Sequence, residues 1–170
     1  MLPAKRDTLK YVSVLFAAAF CTLTIALPTW AQFSAPKIAV VTASARPGIV
    51  PRGGRGILYV LLSVAPRFHI NAHHPGNLAH IQTTFHGQSM PGISYGPAHY
   101  PAAQTVKVSY SSKPLLVYTG KVMIVVPYSV LKTAKTGAAT LMGAVSYQGC
   151  DANSCYPPAS TPTWAVVVIK

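Results

Sequence analysis

Fifteen prolines and twelve glycines interrupt this chain of 170 residues. A proline inside a helix removes a backbone donor and costs about 3 kcal/mol, so breakers at this density leave little room for long helices. Beyond residue 31 no apolar pattern recurs with a 3.6-residue period. Between the breakers lie short runs rich in β-branched and aromatic residues: 37–44, 57–64, 68–73, 79–85, 105–110, 121–126, 138–148 and 164–169. The run 57–64 has the composition of a buried strand. In 105–110, Val106 and Val108 alternate with Lys107 and Ser109, and the apolar run 121–126 is expected to stop at Pro127. Eight or so short strands joined by turns predict an all-β fold, an antiparallel β-sandwich in a single domain. Residues 87–101 are the least regular segment, and no internal repeat or low-complexity tract is present.

The N-terminus follows a different rule. Residues 1–10 carry Lys5, Arg6 and Lys10, residues 11–27 are apolar and uncharged, and Pro28, Thr29, Trp30 and Ala31 follow. This is the three-part pattern of a secretory signal, with cleavage expected after Ala31, so that 1–31 is the signal peptide and 32–170 the mature domain. An uncleaved anchor is the alternative, since a run of 17 is at the short limit for a membrane span. Cys21 follows Phe20, which is a poor fit to a lipoprotein site. Export places the domain in the periplasm or another oxidising compartment, where paired cysteines form disulfides.

The charge pattern excludes several chemistries. Fourteen Lys and Arg face two acids, Asp7 and Asp151, so the mature chain would hold one carboxylate side chain. Paired catalytic carboxylates and carboxylate-rich Mg²⁺ or Ca²⁺ sites cannot be built from it. No phosphate-binding or dinucleotide-binding loop is present, and Gly53, Gly54 and Gly56 suit a turn. Neither a cofactor nor a resident metal is expected. The basic residues are scattered and lack the interleaved aromatics of a nucleic-acid surface, so no nucleic-acid partner is expected.

What remains is a cysteine pair. Cys150 and Cys155, with Asp151, Ala152, Asn153 and Ser154 between them, are the only cysteines of the mature chain. Fully extended, their Cα atoms would stand roughly 17 Å apart. A disulfide needs about 4.4–6.8 Å, so the chain must turn back between them, and the four intervening residues are turn formers. Pro157 and Pro158 then stop a long ladder, placing the pair at a bend before the last strand rather than between sheets. Three uses stay open. A structural staple is the ordinary role of paired cysteines in an exported protein. Against it, so short a loop removes unfolded-state entropy worth only about 2 kcal/mol, and local, strained or exposed disulfides are the labile ones. A metal site is the third use, with thiols or with His69 and His73, which on a strand would share a face with Asn71 and suit copper or zinc.

Val145 to Cys150 (Val-Ser-Tyr-Gln-Gly-Cys) and Cys155 to Pro158 (Cys-Tyr-Pro-Pro) resemble the signature of the N-terminal periplasmic domain of the thiol:disulfide interchange protein DsbD. Phe68-His69-Ile70-Asn71-Ala72-His73, His99-Tyr100-Pro101-Ala102-Ala103 and the stretch from Ser112 to Gly120 support the match, which runs over residues 37–169. The resemblance is to stand-alone members of that family. It implies an immunoglobulin-like sandwich in which Cys150 and Cys155 cycle between dithiol and disulfide. It implies electrons taken from a separate membrane donor of DsbD/CcdA type and passed to periplasmic thioredoxin-fold proteins. It further implies a cap loop near 109–113 with Tyr110 as its aromatic tip, and a site lined by Phe68, His69 and Asn71, with Tyr147 and Tyr156 flanking the cysteines. Cys155 is the cysteine it favours as the attacking one. The acidic residues beside the DsbD cap loop have no counterpart here, which leaves proton handling to other groups. His69, if protonated, would favour a thiolate, and Asp151 would disfavour one at Cys150.

Two other classes compete. One is an immunoglobulin-like binding module with an inert disulfide, docking partners at a sheet edge. The other is a periplasmic copper-binding protein using His69, His73 or the thiols.

Overall fold

The computed structural model describes residues 36–76 and 80–170. The segment 1–31, where a signal peptide is expected, and Ala79 of the expected strand 79–85 lie outside the described residues. Twelve strands and no helix occur among those described. One sheet is built from β1 (Ala39–Arg46), β3 (Arg55–Val64), β9 (Lys121–Val130) and β6 (Ile93–Tyr95), in the order β1-β3-β9-β6. A second joins β2 (Ile49–Val50), β12 (Ala159–Ile169), β10 (Gly137–Tyr147) and β5 (Thr84–Gly87), in the order β2-β12-β10-β5. A third, smaller one runs β11 (Gly149–Cys150), β4 (His69–Asn71), β8 (Leu115–Tyr118) and β7 (Gln104–Val106). Pairing is antiparallel throughout except between β2 and β12.

Period-2 alternation decides which side chains face inward. On β3, Leu58, Val60 and Leu62 are fully buried, and on β9 Val122, Ile124, Val126 and Tyr128 are. From the second sheet come Leu141, Val145, Val167 and Ile169, and from the third Ile70 and Tyr118, all in one continuous core. Each such aliphatic side chain contributes about 1.5–3 kcal/mol by leaving water. The result is an all-β sandwich, as the spacing of breakers implied, of the immunoglobulin-like kind that the family resemblance implied.

Several elements differ from expectation, each for a physical reason. Pro127 does not end its strand. Its carbonyl accepts from Gly96 N (2.8 Å), on the side away from β3, and in a strand the N and C=O of one residue point the same way. The missing N–H therefore falls outside the β3–β9 ladder, where Ile57 pairs with Pro127 in unbroken register. The run 105–110 is strand only to Val106, and residues 107–114 form the loop between β7 and β8. β8 itself was concealed by Pro114, and 87–101 holds β6 and an isolated bridge between His99 and Val125. β4 stops at Asn71, so the alternation that would have put His73 on the face of His69 does not continue.

Candidate functional site

The site grows out of the end of β10. Gln148 leaves that strand, and the chain crosses to the third sheet as β11, where Gly149 pairs with Ile70 and Cys150 with His69. Gly149 has to be glycine. A Cβ there would stand 2.5 Å from Cδ1 and 2.6 Å from Cγ2 of the buried Ile38, well inside ordinary carbon contact. This close approach seats Cys150 against the core.

Cys150 and Cys155 are joined by a disulfide, with their Cα atoms 4.0 Å apart. Asp151 shapes the turn between them. Its Oδ1 accepts from Asn153 N (2.8 Å) and Ser154 N (2.9 Å), and its Oδ2 accepts from the Tyr156 hydroxyl (2.9 Å). Backbone bonds from Asp151 N to Ser154 O and from Tyr156 N to Gly149 O, both 2.9 Å, close the loop. These donors hold the Asp151 carboxyl below its ordinary pKa, the two backbone amides first. The bond to Asp151 in turn raises the Tyr156 phenol.

The two sulfurs have different surroundings. Cys150 is completely buried, whereas Cys155 is exposed. The pair does lie at a bend ahead of the last strand, yet one member is part of the interior, contrary to a wholly peripheral placement. The reason is the Gly149–Ile70 and Cys150–His69 ladder, which draws β11 into the third sheet.

His69 stands directly across from Cys150, so the two side chains share a face of the sheet. Its Nε2 is hydrogen-bonded to the Tyr110 hydroxyl (2.9 Å). Burial lowers its pKa from 6.5, and the charge of Asp151 partly offsets this. With the disulfide closed, burial therefore favours the neutral ring of His69 over the imidazolium. Tyr110 belongs to the 107–114 loop, which a second bond, Ser109 Oγ to Ala152 O (2.9 Å), ties to the cysteine turn. The loop thus lies against both β4 and the turn. Burial raises the Tyr110 phenol, and the Asp151 charge adds to it.

The remaining sequence-derived residues divide. Phe68 packs its ring edge-on against Tyr156, centroids 5.7 Å apart. Asn71 is fully buried, and its Nδ2 donates to Ile81 O (3.0 Å) and Gln148 Oε1 (3.2 Å), while its Oδ1 has no partner among the described residues. Tyr147 is only 4% exposed and sits in the core, bordering a small cavity with Tyr156 and Pro157. His73 is drawn away. Its Nδ1 is bonded to Thr83 O (2.9 Å) and its ring stacks on Tyr100 at 3.7 Å. Among the described residues no group of three His, Cys, Asp or Glu is placed to hold a metal.

Sequence reasoning passed over Gln148 and Ser109. Gln148 accepts from Asn71 and donates through Nε2 to Tyr156 O (3.2 Å), bracing the turn from below. An amide ending an apolar strand just before Gly-Cys was its signal. Ser109 carried none, because its partner is a backbone carbonyl 43 residues away.

Such a site can undergo thiol–disulfide exchange: one sulfur is reachable, its partner is held in the interior, and a hydrogen-bonded turn joins them. Among solved structures, the N-terminal domain of Neisseria meningitidis DsbD in the reduced form is similar at 18% identity and a TM-score of 0.41, over 62% of this chain and 72% of that one. The N-terminal periplasmic domain of Proteus mirabilis ScsB is similar at 17% identity and a TM-score of 0.45, over 73% of this chain and 44% of that one, so the likeness covers under half of it. No curated protein matches by sequence. Residues 43–163, which include both cysteines, His69 and Tyr110, match the family described as thiol:disulfide interchange protein DsbD, N-terminal, and the chain belongs to that family.

Proposed function

We propose that this chain is an exported electron shuttle whose Cys150–Cys155 pair takes electrons from a membrane donor of DsbD/CcdA type and passes them to periplasmic thioredoxin-fold proteins. The observation that carries it is the asymmetry of the disulfide, with Cys155 exposed and Cys150 fully buried in a turn tied by Asp151.

A donor thiolate attacks Cys155 Sγ, and Cys150 leaves. A second donor thiolate releases Cys155, and the pair is reduced. In the forward step the Cys155 thiolate attacks a partner disulfide, giving a mixed disulfide that Cys150 resolves from within. Tyr110 and Ser109 hold the 107–114 loop over the Cys150 side, where it limits access until a partner displaces it. The Asp151 carboxylate, occupied by three donors, keeps the turn intact in both redox states and is not the proton carrier.

The test is capture in the exported compartment. Cys150→Ala leaves Cys155 free to attack but not to be resolved, and a stable mixed disulfide with a thioredoxin-fold protein is expected. Cys155→Ala should capture nothing. Equal capture by both variants, or by neither, overturns the assignment.

A binding-module reading has one observation of its own. The outer face of β12 exposes Trp164 (63%) and Val166 (60%), an apolar strip of the kind that marks contact surfaces. Replacing both cysteines with alanine separates the two. A binding module keeps its partner, and a shuttle loses all exchange.

A further inference from the structure

We propose that His69 takes up a proton when the disulfide opens, so that the buried Cys150 thiolate is formed as a thiolate–imidazolium pair. The proposal rests on the exchange function above and adds the group that balances its charge.

The need arises from burial. Opening the disulfide by attack at Cys155 leaves the electron pair of the broken bond on Cys150 Sγ, and Cys150 is fully buried. An isolated anion there is costly, so it must gain a proton or a cation. The site offers few. The Asp151 carboxyl is held ionised by three donors and carries no proton to give. The Tyr110 and Tyr156 phenols are both pushed above their ordinary range. Among the described residues no basic side chain is bonded to the turn. His69 is the residue paired across from Cys150, on the same face.

The surroundings of His69 suit a change of charge. Cys150 faces it from β11, Tyr110 from the 107–114 loop, and the field of Asp151 reaches it from the turn. On its other flank β8 places Tyr118 opposite Ile70, whose side chain points to the other face. With the disulfide closed, burial outweighs the field of Asp151 and favours the neutral ring. A new negative charge on Cys150 adds to that of Asp151 and tips the balance toward imidazolium. The Tyr110 bond survives the change, because a hydroxyl that donates to a neutral ring nitrogen can accept from a protonated one.

A donor dithiol loses two electrons and two protons. Its first thiolate forms a bond to Cys155 Sγ as the Cys150–Cys155 bond breaks. Its second thiolate closes the donor disulfide and releases Cys155. One proton is carried by Cys155 or solvent, and the other resides on His69 beside the Cys150 sulfur.

The test is an NMR titration of the His69 ring in the oxidised chain and in the chain reduced with dithiothreitol. The midpoint is expected at least about one pH unit higher in the reduced form, which is about tenfold tighter proton binding. An unchanged or lower midpoint overturns the proposal while leaving exchange itself intact. Resistance of the folded chain to dithiothreitol removes both. A second readout separates proton uptake from support of the fold. The ultraviolet absorbance of the Cys150 thiolate should be present in the reduced wild type at neutral pH and be lost in His69→Gln, whose amide can still bond Tyr110 but cannot hold the proton. Equal thiolate absorbance in the two reduced chains would also overturn it.

Discussion

Substituting Gly149 by alanine tests how Cys150 is held in place. The added Cβ would stand 2.5 Å from Cδ1, 2.6 Å from Cγ2 and 3.2 Å from Cβ of Ile38, a side chain only 7% exposed. Carbon atoms rest about 3.5–4.0 Å apart, so the overlap is close to 1 Å at two atoms. Neither side can yield freely. β11 is pinned by its pairing with β4 and by Tyr156 N on Gly149 O, and Ile38 is packed in the core. Overpacking of this kind costs about 1–3 kcal/mol, and at roughly 4 °C per kcal/mol for a domain of this size the melting temperature should fall by about 4–12 °C. Ile38→Ala alone should cost about 2–5 kcal/mol as a cavity. Combined, the alanine methyl occupies part of that cavity, so the double variant should be more stable than the sum of the two by at least about 1 kcal/mol. Thermal and denaturant unfolding of the oxidised proteins measure this. Additivity of the two changes to within about 0.5 kcal/mol would refute the close-approach account of Gly149.

Other outcomes follow from the same geometry. Replacing both cysteines with alanine should destabilise the domain by only about 2 kcal/mol, the loop-closure value for so short a span, and a much larger loss by denaturant unfolding would mark the bond as a staple. Tyr110→Phe removes the hydroxyl bonded to His69 Nε2 and should raise amide exchange in residues 107–114 about fivefold, equivalent to about 1 kcal/mol; unchanged exchange would mean the loop is held elsewhere. Stability should also depend on pH through His69. Its folded pKa lies below 6.5, so the unfolded chain binds the proton more readily. The contribution is complete above 6.5 and is lost as pH falls from there through the folded value. His69→Gln should flatten that part of the curve, and the same slope in both proteins would refute the assignment.

That 57–64 is a strand was legible in the sequence from its β-branched and aromatic content, but which of its apolar side chains face the core was not, because Leu58, Val60 and Leu62 are flanked by the equally apolar Ile57, Tyr59 and Leu61. The cysteine turn was legible, since the spacing forces a reversal and Asp151, Asn153 and Ser154 are turn formers. Pro127 was not, because a proline's effect depends on which neighbour its nitrogen faces, and that is a property of the sheet. The pairing of Cys150 with His69 was equally hidden: the two lie 81 residues apart (150 − 69), and only the register of β11 on β4 brings them together. The family resemblance pointed to Tyr110 as a cap and to His69 as a residue lining the site, but not to the hydrogen bond between them. It also grouped Tyr147 with the cysteines, whereas the alternation of β10 turns that side chain into the core.

An electron shuttle needs a Cys150–Cys155 bond that opens in the folded chain. The equilibrium of the folded chain against a glutathione redox buffer, read by alkylation of free thiols, tests this most directly. A reduction potential above about −300 mV, within reach of cellular dithiols, is what a shuttle requires. A value well below that, with both sulfurs unreactive in the native protein, would make the bond a structural staple and contradict the account.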